Sequence, residues 1–506
     1  MDTARESLPV PWDSLSDNRD TPTESEEKLF IVMSILALEH LPAYALTIRR
    51  AICAKSNCSK ANLQPPKIGA SYILGEYVFF PITFPDGLYW LLKVPTSGSL
   101  PSFDAYQAEA LRSEALVMMM LRRKTTIPVP DVYAFSKTCA NSLNHPFILL
   151  QGVKGKNVYD VWFDKASRPE VVKTRRIRIL NDIAEAMAQL EKFSFDHGGS
   201  LMFDENARAQ IGQYNLFDDE SYLDHQSRPG HVDNLSIHHA IDPISDTKEL
   251  YTAILDRREE QKMPLNRTLD DGERGLLRMF IDRIPEPDDG RKPFVLHHTH
   301  FSVCDFVLST EGTLQAIINW EAPFSAPRSM GNERHPSWLT RDWDPLMYNW
   351  NEEMERGIKP GGLWEDSPST LKFYRSVYAK FMQIHRFSSL VDQSTLTAKS
   401  LICENLFIAS RNPANRSNIV EKIFKELMVT VKQDLDCRYI VTKGEGDDDE
   451  DKESEEEEGE EENSEDDYDL DYWGAIDAIG EGSLSQRDRD IINDGFDRLM
   501  QRAILL

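Results

Sequence analysis

From Phe294 to Glu321 the chain reads FVLHHTHFSVCDFVLSTEGTLQAIINWE, a series of polar side chains set in an apolar frame. His298, His300 and Asp305 fall between two short apolar runs, Val295-Leu296 and Phe306-Val307-Leu308. Glu311-Gly312 is a turn signal, and Leu314 to Trp320 is a further apolar run that holds Asn319 near its end. The pattern predicts strand, loop, strand, turn, strand. An imidazole takes up a proton near neutral pH. Carboxylate and amide oxygens are hard ligands for a divalent cation. A loop with a proton acceptor and one metal ligand, and a second ligand at the end of the next hairpin, suits phosphoryl transfer to a hydroxyl.

The preceding sequence supplies elements that could hold such a loop. Tyr72 to Phe80 and Ile82-Thr83-Phe84 are rich in β-formers, Pro85-Asp86-Gly87 is a tight turn, and Leu88 to Val94 is another strand. A helix is expected from about Phe103 to Lys124, stopped by Ile127-Pro-Val-Pro. Phe147 to Val153 reads as a buried strand leading to Gly155. Helical spacing recurs at Lys28 to Cys53, Arg175 to Phe193, Thr247 to Arg258, Asp270 to Ile284, Leu371 to Phe387, Ile419 to Leu435 and Arg489 to Leu505.

The loop and this order of elements resemble the aminoglycoside phosphotransferase and choline kinase-like family, whose fungal members read like HHPDLSLHNILVDENGKITAIIDWE at the loop. The segments WLLKVP, LRSEALVMMMLRRKTTIPVPDVYAF and PFILLQGVKGK carry the resemblance through the first half. It implies an α+β, bilobal protein-kinase-like fold, with a small β-rich lobe and a larger, mostly helical one. It implies ATP and magnesium as cofactors and a small-molecule hydroxyl as substrate. Lys93 falls at the strand lysine that holds phosphates, and Glu114 at the helix glutamate that pairs it. Gly75 lies at the phosphate roof, where Glu76 faces the phosphates unless it turns outward. Gln151 and Val153 lie at the hinge that meets an adenine. His298 keeps the family histidine and, with His300, is a candidate catalytic residue. His300 stands at the catalytic Asp, Asp305 at the metal-binding Asn, and Asn319 at the metal-binding Asp before Trp-Glu.

Composition bounds the rest. A chain of 506 residues with 41% apolar residues can build two lobes and tails. Its formal charge of -27 owes much to the acidic run from Glu445 to Asp471, where Lys452 is the lone base. No basic cluster points to nucleic acid. Six scattered cysteines read as free thiols. The longest apolar run, Leu29 to Leu38, is too short for a membrane span. The acidic, Ser/Pro-rich start has neither signal-peptide nor transit-peptide character, which leads to the expectation of a cytoplasmic protein.

The expected divisions are a disordered 1–27, a helical extension 28–66, a small lobe 67–153, a large lobe 154–443, an acidic disordered linker 444–472 and a short helical segment 473–506. The acidic run serves either as a solvated linker or as an arm for a basic protein partner. For the altered loop three readings stand. One is a pseudoenzyme with a binding or regulatory role, and another is an active phosphotransferase with His300 as base. The third is a drifted product without a selected role.

Overall fold

The computed structural model describes residues 24–55, 63–100, 103–217, 238–257, 267–285, 290–386, 396–444 and 470–502. The expected disorder of 1–23 and most of the acidic run, 445–469, lie outside the described residues.

The small lobe is an antiparallel sheet of β1 (Lys67–Ile68), β2 (Tyr72–Leu74), β3 (Tyr77–Thr83), β4 (Tyr89–Pro95), β5 (Val132–Ser136) and β6 (Phe147–Gln151). The order is β1-β3-β4-β6-β5, with β2 also on β3. Alternation along β4 and β6 sends side chains to opposite faces. Trp90, Leu92, Val94, Phe147 and Leu149 join a core with helices α1 (Glu24–Ile35) and α2 (Leu41–Lys55) and the turn between them, through Val32, Leu36, Leu41 and Ala45. Ile148 and Leu150 face the other way, onto α3 (Ala105–Lys124). Lys93 pairs with Phe79 and Ile148, in the middle of the sheet and on that second face. The Asp104 side chain caps α3 by accepting from the Gln107 amide.

The apolar run Tyr72 to Phe80 is a hairpin, β2 and β3, folded at Gly75-Glu76. Gly75 has φ +57°, a conformation that favours glycine. The first helix starts at Glu24, inside the stretch 1–27 that was expected to lack structure. Strand β5 was not anticipated, because all five of its residues are half-buried and show no alternation.

In the large lobe, α4 (Val158–Trp162) and α5 (Pro169–Ala188) lead to β8 (Ser194–Phe195), β9 (Gly199–Phe203) and β10 (Ala209–Gly212). These join β13 (Phe294–His297) and β16 (Phe324–Pro327) in one sheet, and β11 (Tyr214–Phe217) pairs antiparallel with β12 (His238–Ile241) beside it. The loop of interest leaves β13 and enters the hairpin β14 (Phe306–Leu308) and β15 (Leu314–Ile317), which is extended by β7 (Lys156–Asn157). Around this lie α6 (Thr247–Arg257), α7 (Arg267–Asp282), α8 (Pro368–His385), α9 (Leu396–Arg411) and α10 (Pro413–Gly444).

The C-terminal helices α11 (Tyr472–Gly480) and α12 (Gln486–Gln501) belong to this lobe. Ala475, Ile476, Ile492 and Phe496 are fully buried in one core with Leu276, Phe280, Ile402 and Leu427. Helices α7 and α11 meet at backbone distance. A Cβ on Gly272 would lie 2.2 Å from the Ile476 carbonyl oxygen, and one on Gly480 would lie 2.3 Å from that of Thr268. Phe280 and Phe496 stack with ring centroids 4.9 Å apart. No single helix among the described residues is long and apolar enough to cross a membrane.

Candidate active-site cleft

The lobes meet at Lys93. Its ammonium donates to both oxygens of Glu114, at 2.8 and 2.9 Å, and to Glu321 Oε1 at 2.6 Å. Its Nζ also lies 3.8 Å from the centroid of the Tyr77 ring. Lys93 and Glu114 are almost wholly buried, at 1% and 2% exposure. Burial works against the Lys93 charge, but Glu114 and Glu321 together outweigh it and raise its pKa. Burial pushes the Glu114 carboxyl up, to about 7; Lys93 pulls it down, and Glu321 pushes it further up. One cation serves two carboxylates, so the cluster favours keeping a proton.

Glu321 sits two residues beyond Asn319, so β4 of one lobe and the post-hairpin segment of the other face the same cleft. Asn319 takes φ +59°, which Asn tolerates better than most residues. Its amide Nδ2 donates to Asp305 Oδ1 at 2.8 Å. The other Asp305 oxygen accepts from the Ser302 amide at 2.6 Å and its hydroxyl at 2.8 Å. Asp305 thus closes its own loop. Among the described residues no group of three or more His, Cys, Asp and Glu side chains is placed to hold a metal ion.

His298 is buried within the loop. Its Nε2 donates to the Ile318 carbonyl at 2.8 Å, and its Nδ1 accepts from the Phe301 amide at 3.2 Å. With both nitrogens committed in one neutral tautomer, it positions the loop and has no lone pair for a substrate proton. Burial holds its pKa below the ordinary histidine value. The ring braces Phe301, whose φ of +55° is strained for a bulky side chain. His300, in contrast, is exposed. Its carbonyl accepts from Arg334 Nη2 at 2.6 Å, and Arg334 also donates to His297 Nε2 at 2.8 Å.

The expected nucleotide contacts fare unevenly. The Gln151 amide donates to the Asp131 carbonyl at 2.8 Å and is not available to an adenine. Val153 makes no backbone hydrogen bond among the described residues, so its amide is open. Glu76, beside Gly75, turns away from Lys93: it accepts from Lys28 at 2.8 Å and from the Thr96 hydroxyl at 3.2 Å. Taken together, the residues do not fit a magnesium-nucleotide as arranged. Lys93 has no spare donor, both oxygens of Asp305 already accept hydrogen bonds within the loop, leaving about one lone-pair site on Oδ1, and only one carboxylate stands at the metal positions. Sequence reasoning missed Glu321 as a Lys93 partner, although it ends the Trp-Glu pair. It also missed Tyr77 and Arg334, which no motif marks.

No family model matches the chain. It is similar to "Altered inheritance of mitochondria protein 9, mitochondrial" of Meyerozyma guilliermondii, 28% identical over 107 residues, 21% of this chain and 17% of that protein. The protein of the same name in Candida tropicalis is 24% identical over 243 residues, 48% of this chain and 33% of its own length. The matched stretches thus span a third or less of these relatives. Similar solved structures include an amicoumacin kinase in complex with AMP-PNP and Ca2+, with TM-score 0.39 and 11% identity, covering 76% of this chain and 96% of that one. A Plasmodium vivax ethanolamine kinase gives TM-score 0.37 and 9% identity, covering 79% and 91%. Superpositions this loose carry no weight, and the fold class rests on the strand order, the Lys93–Glu114 pair and the loop hairpin described above. The chain has a bilobal, protein-kinase-like fold. The curated relatives are fungal proteins named as mitochondrial, and this overturns the expectation of a cytoplasmic protein.

Proposed function

We propose that this protein is a mitochondrial, kinase-like pseudoenzyme, whose cleft has lost efficient phosphoryl transfer and whose role is binding or regulation. The observation that carries this reading is the self-satisfied cleft. Lys93 is saturated by Glu114 and Glu321, and Asp305 is held by Ser302 and Asn319. Phosphoryl transfer depends on positioned, available charge, and here the charged groups spend their bonds on one another. The names of the curated relatives support the location.

A second reading, an ATP-dependent phosphotransferase acting on a small hydroxyl compound, has one observation in its favour. His300 is exposed while Arg334 pins its carbonyl, so the imidazole stands on a fixed loop. The two readings separate in a transfer screen with radiolabelled ATP and magnesium against aminoglycosides, choline, ethanolamine and small sugars. The pseudoenzyme reading expects no transfer above a heat-treated control. Robust transfer that is lost in His300→Ala would overturn it and establish the second.

A further inference from the structure

We propose that Glu321 is a built-in competitor for polyphosphate: its carboxylate takes the Lys93 donor that a phosphate oxygen would need, and its withdrawal opens the cleft to a nucleoside di- or triphosphate. The inference rests on the kinase-like reading of the cleft. An ammonium has three N–H donors. Glu114 takes two and Glu321 the third, while the Tyr77 ring covers another side of the nitrogen.

The two carboxylates are not equivalent. The Glu114 side chain is 2% exposed and enclosed beneath the small-lobe sheet, whereas that of Glu321 is 26% exposed. The Glu321 backbone is fixed independently of its side chain. The Thr299 hydroxyl donates to the carbonyls of Glu321 and Ala322 at 2.7 and 3.1 Å, and the flanking Asn319 and Ala322 take φ +59° and +40°. The carboxylate can therefore swing to solvent about its own torsions without unfolding the loop. Glu114 is the fixed acceptor and Glu321 the movable one. With both carboxylates ionised, one cation faces two anions and the excess negative charge repels a polyphosphate; with Glu114 protonated, the Glu321 carboxylate still occupies the Lys93 donor. With Glu321 withdrawn, or replaced by an uncharged acceptor, the competing charge is gone and the Lys93 donor is released or only weakly held.

The test is calorimetric titration with ADP in EDTA, so that no metal contributes, on the full chain. Glu321→Gln should bind ADP at least tenfold more tightly than the unaltered protein, and the gain should vanish in the Lys93→Met/Glu321→Gln double variant. Binding that is no tighter in Glu321→Gln, or a gain that survives without Lys93, overturns the proposal. Should the variants fail to melt cooperatively, amine acylation of the unaltered protein decides. The proposal expects Lys93 to react far more slowly than exposed Lys55, at a rate ADP does not change. Lys93 reacting as fast as Lys55 and shielded by ADP overturns it. Failure of the pseudoenzyme reading would show instead as phosphate transfer by the unaltered protein, which neither binding nor acylation measures.

Discussion

At the scale of single residues, the chemistry follows from which lone pairs and N–H groups are already taken. His298 and His300, two residues apart, differ completely in this respect. His298→Ala leaves the Ile318 carbonyl and the Phe301 amide without their partner, and each such loss costs roughly 1–3 kcal/mol. His300→Ala should change stability by no more than about 0.5 kcal/mol, as expected of an exposed side chain. Urea unfolding of the two variants checks this difference; equal losses would contradict the assigned roles. The Lys93 cluster makes a separate prediction about pH. The folded protein holds a proton on Glu114 up to about pH 7, whereas an ordinary glutamate releases it near 4.5. A carboxyl raised in this way adds stability below about pH 4.5, and that contribution fades as pH climbs to 7. In Glu321→Gln the like charge is gone, Glu114 ionises earlier, and the decline in melting temperature between pH 5 and 7 should be shallower than in the unaltered protein. An unchanged slope would remove Glu321 from the cluster.

At the scale of elements, the sequence was most legible where patterning is strong. The β-forming run Leu88 to Val94 and the Pro-Asp-Gly turn marked the small lobe, and the apolar frame around the loop marked β13, β14 and β15. The positions of Lys93, Glu114, Asp305 and Asn319 followed from these. What could not be read was which polar groups bond to each other, because a Lys93–Glu321 contact joins residues 228 positions apart. The partners of His298 were hidden for the same reason, since they are backbone groups that come together only once the loop is folded. Helix α9 also escaped notice, as its buried positions include Thr397, Ser400, Asn405 and Ser410, which blur the apolar stripe. Glycines at the α7–α11 crossing gave no signal either, yet they set how closely the helices approach. Gly272→Ala places a methyl against backbone rather than a yielding side chain. Such overpacking costs about 1–3 kcal/mol, so the melting temperature should fall clearly. A variant as stable as the parent would show that the crossing can open freely.

At the scale of the molecule, the acidic run joins two parts of one lobe. Helix α10 precedes it, and α11 and α12 follow and return to the same core. Deleting 445–506 uncovers apolar surface on α7 and α10 and removes Ile476, Ile492, Phe496, Leu499 and Met500, each worth about 1.5–3 kcal/mol when fully buried. The truncated protein should melt well below the full chain by scanning calorimetry. An unchanged melting temperature would mean that the C-terminal helices do not contribute to the large-lobe core. The two lobes are tied across the cleft by Lys93 and Glu321, so the same contact that satisfies the lysine also holds the lobes together. The most direct measurement of the central claim is therefore the melting temperature of the unaltered full chain with and without millimolar magnesium-ATP. A self-satisfied cleft predicts no shift, because a ligand that does not bind the folded state cannot stabilise it. A rise of several degrees that EDTA abolishes and Lys93→Met prevents would contradict the account.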